Sequence, residues 1–330
     1  MSQEIVLVLL ALVRSAFFGT LVCNKDCSAF TKIDFKKLLE ISKKHDIIHL
    51  VAKALLDNGM IDKENPLFKV CQKAQVMAVY RYEQLNFELQ TVAKLFENAE
   101  IPFLPLKGSV LRAFYPEPWM RTSCDIDVLV RESDLQKAVD LLQNECGYKE
   151  VARTTCDIAF ETKSGCHIEL HFNLISENYA NEAHKLLENV WDYAKAKDGY
   201  KYWHVLSDDM FYFYHVAHMS KHFEDGGCGI RPFLDLFILD NLENVDKEKR
   251  DELLLKANML KFAEGARKLS RVWFGGESHS ALTELMENYL LYGGAFGNMS
   301  NKVAVQQQKS GGKKSYALSR IFPNKKFMCI

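Results

Sequence analysis

The stretch of sequence that decides the fold is LPLKGSVLRAFYPEPWMRTSCDIDVLV, residues 104–130. Near its end, Asp125 and Asp127 alternate with apolar residues. Successive side chains of a strand point to opposite faces, so the two carboxylates share one face while Ile126 and Val128 point into a core. The carboxylates then lie ~7 Å apart, close enough to bracket a pair of divalent ions. Alternating acids are also typical of a solvated edge strand, so the pattern alone leaves both interpretations open.

A short apolar strand and a glycine turn precede the paired acids. Residues 101–106 are apolar and run into Lys107-Gly108-Ser109, after which residues 110–115 have a helical pattern. Glycine lets the backbone approach a phosphate closely, and the amides at a helix start together with the Ser109 hydroxyl attract anions. Lys107 adds positive charge. This order of strand, turn and helix predicts a phosphate-binding turn.

A third acid lies in the segment HIELHFNL, residues 167–174. Its apolar residues alternate with a polar face that carries Glu169 and His171, which predicts a half-buried strand. We interpret Glu169 as the third metal ligand or as the general base. The alternative is a surface glutamate on a sheet edge.

The order of these motifs resembles the family of uncharacterised nucleotidyltransferases within the DNA polymerase β-like superfamily. The resemblance rests on Lys-Gly-Ser, a helix, Tyr115-Pro116, Arg121, Asp-x-Asp followed by Val-Leu-Val, a second helix, Gly147-Tyr148 and Glu-Leu-His. It is detailed over residues 100–175 and looser across the helical remainder. One departure is that Glu169 stands where an aspartate is commoner.

The resemblance implies a two-metal transfer of an NMP group from an NTP, with ATP expected first, to a hydroxyl or amine acceptor. Pyrophosphate would leave, and the metal would be two Mg²⁺ ions, with Mn²⁺ as an alternative. The implied ligands are Asp125, Asp127 and Glu169. The implied nucleotide contacts are Lys107, Gly108, Ser109 and Arg121. The alternative function is a nucleotide-binding regulatory module without catalysis.

The rest of the chain predicts an α+β fold, with a small mixed sheet flanked by N-terminal and C-terminal helical regions. At 330 residues and 48% apolar content, the chain can form more than one packed unit. We predict helical residues 1–98, a nucleotidyltransferase core over 99–175, and a helical region with a basic tail over 176–330. The individual helices are predicted at 3–18, 34–58, 66–80, 82–99, 181–194, 208–222, 231–242 and 251–274, with a capping box at 133–136 and further strands near 148–152 and 158–162.

A second polar cluster is predicted on one helix. His215, His218 and His222 share a face at 3.6 residues per turn. Together with His171, they are candidates for the wall of an acceptor cleft. Zinc is disfavoured because no acid or cysteine completes a familiar ligand spacing, and an ordinary polar helix surface is the alternative.

Charge and cysteine content limit the partners and the compartment. The net charge of −1 gives no overall attraction to nucleic acid, so a small-molecule or protein acceptor is expected rather than RNA. The basic stretch 301–315 predicts a solvated loop, with a polyanion contact as the alternative. The nine cysteines form no C-x-x-C pair, which is typical of reduced thiols in the cytoplasm. The apolar run at residues 5–13 is too short to span a membrane, so no membrane partner is expected.

Overall fold

The computed structural model describes residues 3–20, 30, 34–174 and 182–293. Its contacts divide into two compact units. Unit 1 takes its described residues from Met1–Ala78, Val216–Glu243 and the chain beyond Leu260, whereas unit 2 takes them from Val79–His215 and Asn244–Met259. The three-region division suggested by the sequence stays a prediction, and the basic stretch 301–315 lies outside the described residues.

Helices make up most of the described chain. In order, they are α1 (Gln3–Phe18), α2 (Phe35–Lys44), α3 (Ile48–Asp57), α4 (Phe68–Asn98), α5 (Gly108–Leu111), α6 (Leu135–Asn144), α7 (Glu182–Glu188), α8 (Asp208–Glu224), α9 (Arg231–Asp240), α10 (Lys247–Lys256), α11 (Leu260–Gly275) and α12 (Ala281–Gly293). None of them is long and apolar enough to cross a membrane, within the part of the chain that is described.

Within the described residues, seven strands form two sheets, both in unit 2. They are β1 (Phe103–Pro105), β2 (Asp125–Val130), β3 (Lys149–Arg153), β4 (Asp157–Glu161), β5 (His167–His171), β6 (Ala194–Ala196) and β7 (His204–Leu206). The larger sheet has the order β1-β2-β5-β4-β3, and β6 pairs with β7. Only β2 and β5 run parallel among these pairs. The predicted α+β class with a small mixed sheet is therefore confirmed.

One face of the five-stranded sheet is the core of unit 2. Ile126, Val128, Ile168 and Leu170 are fully buried there, as the alternation of β2 and β5 predicts. They pack with apolar residues of α4 and α6, so both helices lie on this side of the sheet. The side chains that alternate with them belong to the opposite face, where the carboxylates of β2 and β5 lie.

Among its described residues, the regular secondary structure of unit 1 is helical. In this unit α1 packs on α3, and α9 packs on α11. The predicted helix 34–58 is two helices, because Asp46 has a φ of 55° between α2 and α3. Its carboxylate forms an ion pair with Arg231 at the start of α9.

Several predicted helix boundaries were wrong. The segments 66–80 and 82–99 are one continuous helix, α4, and the segment 251–274 is broken into α10 and α11 at Asn258, whose φ is 58°. The capping box does not form, since α6 begins after Asp134 without a side-chain cap.

The hairpin of β6 and β7 was not predicted. The side chain of Glu97, at the end of α4, holds the connection between these two strands by hydrogen bonds. The Glu97 carboxylate accepts hydrogen bonds from the amides of Lys201 at 2.6 Å, Tyr202 at 3.0 Å and Trp203 at 3.1 Å. A tertiary contact of this kind leaves no periodic pattern in the sequence.

Candidate functional site

The site begins with the register of two parallel strands. Asp127 of β2 lies opposite Glu169 of β5, and Asp125 lies opposite His167. Because paired residues in a sheet point to the same face, Asp125, Asp127 and Glu169 form one acidic surface. The register therefore brings together the three acids that the sequence suggested.

Two cations contact a single oxygen of Asp127. Lys107 Nζ lies 2.9 Å from Asp127 Oδ1, and His171 Nε2 lies 2.9 Å from the same atom. His171 Nε2 is also 3.4 Å from Glu169 Oε2. Asp127 is buried, whereas the Glu169 side chain is 37% exposed. His171 thus links a buried acid to a more accessible one.

The charges of this cluster stabilise one another. Burial by itself would raise the pKa of Asp127, but Lys107 and His171 outweigh it and hold that pKa well below its usual range. Burial opposes the charge of His171 too, yet hydrogen bonds with Asp127 and Glu169 raise its pKa to about 9. For Lys107, burial is outweighed by Tyr214 and Asp127, so its pKa is also raised.

The turn that carries Lys107 is anchored to the same strand. Leu106 donates its amide to the carbonyl of Asp127 at 3.0 Å, and Ser109 donates its amide to the carbonyl of Leu106 at 3.1 Å. Lys107 has a φ of 42° and a ψ of −115°. These angles are those of the first central residue of a type II′ turn, a position that glycine favours. The lysine is therefore held in a strained backbone conformation beside the acids.

The start of α5 differs in detail from the predicted phosphate-binding turn. The amides of Ser109 and Val110 donate to carbonyls within the turn. The hydroxyl of Ser109 is buried and has no hydrogen-bond partner among the described residues. Because the amides of Ser109 and Val110 are already hydrogen-bonded, the phosphate-binding role of this turn stays a prediction.

Gly108 and Arg121 lie side by side. A Cβ atom on Gly108 would lie 3.1 Å from Ser123 Cβ and 3.7 Å from an Arg121 guanidinium nitrogen. Arg121 is buried and donates from Nη1 to the carbonyl of Thr122 at 2.6 Å. The structure thus brings Arg121 next to the glycine turn, where the sequence suggested a phosphate contact.

The sequence interpretation missed three residues of this region. Tyr214 on α8 is buried, and burial raises its pKa. The positive charge of Lys107 opposes this rise, whereas the nearby carboxylates of β2 and β5 add to it. Arg112 and Ser123 connect the turn to β2 by hydrogen bonds. Tyr214 lies in an aromatic segment whose pattern predicts a buried helix rather than a site residue, and no sequence pattern distinguishes Arg112.

The donors present fit a divalent cation. Asp127, Glu169 and His171 each offer a ligand atom, and these atoms lie within 4.8 Å of one another. The Nδ1 atom of His171 is buried, and no described residue is its hydrogen-bond partner. Carboxylate oxygens suit Mg²⁺ or Mn²⁺, and His171 would have to lose its proton to add an imidazole ligand, which Mn²⁺ accepts more readily than Mg²⁺.

The second histidine cluster is not assembled into a comparable set. His218 and His222 approach through their Nε2 atoms, 3.1 Å apart, in unit 1, whereas His215 belongs to unit 2. In the described part of the chain, no third His, Cys, Asp or Glu joins this pair in a metal-binding group. The acceptor-cleft role of these histidines stays a prediction.

Comparison with known proteins gives one match. The family model described as "Uncharacterised nucleotidyltransferase" matches residues 31–275. No curated protein and no solved structure matches the chain. The match includes the glycine turn, both carboxylate strands and the helices on either side of them.

Proposed function

The chain belongs to this family of uncharacterised nucleotidyltransferases, and we propose that it transfers an NMP group from an NTP, chiefly ATP, to a hydroxyl or amine of an acceptor. One observation carries the proposal. The β2–β5 register puts Asp127 opposite Glu169, while the Lys107 turn is hydrogen-bonded to the backbone of Asp127. A phosphate-binding turn and an acidic surface are thereby fixed to one another.

The proposed triphosphate contacts are side chains of the turn and its neighbour. Lys107 is a cation whose side chain is 23% exposed, and the buried Ser109 hydroxyl has no hydrogen-bond partner in the part of the chain that the structure describes. Arg121 adds a second positive charge beside Gly108. These groups would neutralise and orient the phosphates, which is the main requirement of phosphoryl transfer.

The proposed cofactor is Mg²⁺, as two ions, held by Asp125, Asp127 and Glu169, with Mn²⁺ as the alternative. When bound, such ions supply charge neutralisation to the phosphate oxygens and to the attacking oxygen. His171 would orient the carboxylates, because it contacts both Asp127 and Glu169.

The bond changes follow from this placement. The acceptor oxygen or nitrogen attacks the α-phosphorus, and the bond to the bridging oxygen breaks as pyrophosphate leaves. As the alternative to a third metal ligand, Glu169 is the proposed base for the acceptor proton, since its side chain is more exposed than that of Asp127. The net reaction converts NTP and acceptor into NMP-acceptor and pyrophosphate.

The proposed acceptor is a small molecule or a protein, and the proposed compartment is the cytoplasm. The near-zero net charge supports the first choice over RNA. The cysteines described by the structure, among them the buried Cys71, Cys166 and Cys228, are thiols rather than disulfides, which supports a reducing compartment.

The test is pyrophosphate release from each of the four NTPs with Mg²⁺, using purified protein with and without cell extract as the source of acceptor. Asp125→Asn should abolish the release. Asp125 is preferable to Asp127, because loss of the buried Asp127 charge would leave two cations without their shared partner.

Asp140→Asn is the matched control. Asp140 is an exposed carboxylate on α6, the helix that packs on the opposite face of the sheet. This variant should release pyrophosphate at the wild-type rate. Nucleotide binding without release in any extract would instead favour the regulatory module, and release that persists in Asp125→Asn would refute the assignment of the acids.

A further inference from the structure

Arg112 forms a buried link next to the proposed phosphate turn. It follows α5 directly, and its side chain is almost completely inaccessible. Its Nε donates to the carbonyl of Gly108 at 2.9 Å, and its Nη2 donates to the hydroxyl of Ser123 at 3.1 Å. Both acceptors are uncharged oxygen atoms, so these two hydrogen bonds orient the guanidinium without an ion pair to a carboxylate.

Ser123 continues the link to the acidic strand. Its hydroxyl donates to the carbonyl of Asp125 at 3.0 Å while it accepts from Arg112. The route is therefore Gly108 carbonyl, Arg112 guanidinium, Ser123 hydroxyl and Asp125 carbonyl. It joins the backbone of the glycine turn to the backbone of the first acid.

This link complements a second attachment of the same turn. On its other side, the amide of Leu106 is bonded to the carbonyl of Asp127 at 3.0 Å. The backbone of the turn is thus tied to β2 at two points, one beside each aspartate, in addition to the ion pair of Lys107 with Asp127. The Arg112–Ser123 link is the tie that reaches the backbone of Asp125.

The surroundings of Arg112 are costly for a cation. Burial and the charge of Arg121 lower the pKa of Arg112 to about 10, against the effects of Tyr82 and Asp125. The ring of Tyr82 lies 5.7 Å from the guanidinium carbon and offers a cation–π contact. A lysine has no planar fork, so it could not donate to Gly108 and Ser123 in the same geometry.

We propose that Arg112 and Ser123 are positioning residues that set the separation between the phosphate turn and the acids of β2. This inference rests on the proposed nucleotidyl transfer. Neither residue is proposed to touch substrate. Their effect is on how well the phosphates held by the turn are aligned with the acidic surface.

The experiment measures kcat and KM for ATP in the pyrophosphate assay, together with ATP affinity, binding stoichiometry and thermal midpoint. Ser123→Ala breaks the link between Arg112 and the backbone of Asp125 with little change in side-chain volume. It should lower kcat about 10- to 100-fold, as expected for a small misalignment of reacting groups. ATP should still bind with the wild-type stoichiometry and with affinity within a few-fold. A purely structural role would reduce the folded fraction and leave kcat per folded molecule unchanged.

Arg112→Lys is the second variant, and it keeps the positive charge. It should lower kcat to a similar extent, and the double variant should lose no more than the worse single variant, because both changes break the same route. Ser133→Ala, which removes an exposed hydroxyl in the short 3₁₀ helix before α6, is the matched control and should retain wild-type kcat.

The outcomes separate the two proposals. If the wild type is active and both Ser123→Ala and Arg112→Lys keep kcat values within threefold of the wild-type value, the positioning role is overturned and the proposed function is not. A wild type that releases no pyrophosphate from any NTP overturns the proposed function and the inference with it.

Discussion

Replacing Asp208 by asparagine should destabilise unit 2 more than replacing its partner Arg250 by methionine. Arg250 donates to Asp208 through two bonds, Nε to Oδ2 at 2.7 Å and Nη2 to Oδ1 at 2.6 Å. Its guanidinium also lies 4.4 Å from the centroid of the Tyr212 ring. The pair joins α10 to the first turn of α8, the helix that also carries Tyr214.

The expected asymmetry follows from burial. The Arg250 side chain is 1% exposed, whereas that of Asp208 is 41% exposed. Asp208→Asn removes the charge to which buried Arg250 donates two hydrogen bonds, which costs about 3 kcal/mol. Arg250→Met leaves an aspartate that water can solvate, and the methionine fills much of the space beside Tyr212, so the cost is about 1 kcal/mol. The difference of about 2 kcal/mol corresponds to about 4–8 °C in the thermal midpoint of a unit of this size.

Urea unfolding and thermal melting of the two variants and of the double variant would check this order. Trp203 lies in unit 2 and Trp273 lies in unit 1. Variants that keep only one of these tryptophans would therefore show, by their fluorescence, which unit unfolds. The exposed Asp140→Asn variant should shift neither transition by more than about 0.5 kcal/mol. The reasoning is refuted if Arg250→Met is as destabilising as Asp208→Asn, or if the double-mutant cycle gives no coupling.

Three further predictions concern buried groups. Tyr148→Phe removes the hydroxyl that donates to buried Glu88, and it should lower the free energy of unfolding by about 1–3 kcal/mol in urea. Burial lowers the pKa of His45 to about 4; a backbone hydrogen bond opposes this effect, and the charge of Lys44 adds to it. As the pH falls, the unfolded state therefore binds a proton at this histidine before the folded state does. The free energy of unfolding should decrease between pH 6.5 and pH 4, by about 2 kcal/mol at pH 5. His45→Gln should flatten this dependence in unfolding measurements at pH 7 and pH 5. Gly108→Ala places a Cβ atom 3.1 Å from Ser123 Cβ, and it should slow pyrophosphate release about tenfold.

Each of these has its own control. The exposed His167→Gln variant should keep the wild-type pH dependence of stability, and an unchanged slope in His45→Gln would contradict the assignment. For Tyr148→Phe, a loss under 0.5 kcal/mol would mean that Glu88 is satisfied by its other partner, the Ser164 hydroxyl at 2.6 Å. For Gly108→Ala, full activity would mean that Ser123 moves aside without disturbing the turn.

The strands that carry the acids could be predicted because burial imposes period two on their sequence. Ile126, Val128, Ile168 and Leu170 are all fully buried, as the alternation requires. The parallel pairing of β2 with β5 could not be read from spacing, since register depends on contacts between distant segments. The resemblance to a family supplied what periodicity could not.

The helix breaks show a different limit. Asp46 and Asn258 reverse the chain with positive φ values of 55° and 58°, although neither is glycine or proline. Aspartate and asparagine adopt this conformation more readily than other non-glycine residues. An apolar pattern of helical period continues through each break, so the sequence favours one long helix where the backbone forms two.

The polar partners of the site were the least predictable part. That Lys107 and His171 share one oxygen of Asp127 depends on side-chain positions from three separate segments. The same holds for Arg112, whose neighbours in sequence give no sign that its side chain turns back to Gly108.

The strained backbone of Lys107 is retained because its side chain neutralises a buried acid. A residue other than glycine at its φ of 42° costs of order 1–3 kcal/mol. Glycine there would relieve the strain but would remove the cation from buried Asp127 and from any bound phosphate. Losing one partner of a buried ion pair costs about 3–5 kcal/mol, which exceeds the strain relieved, so Lys107→Gly should be both less stable and less active than the wild type.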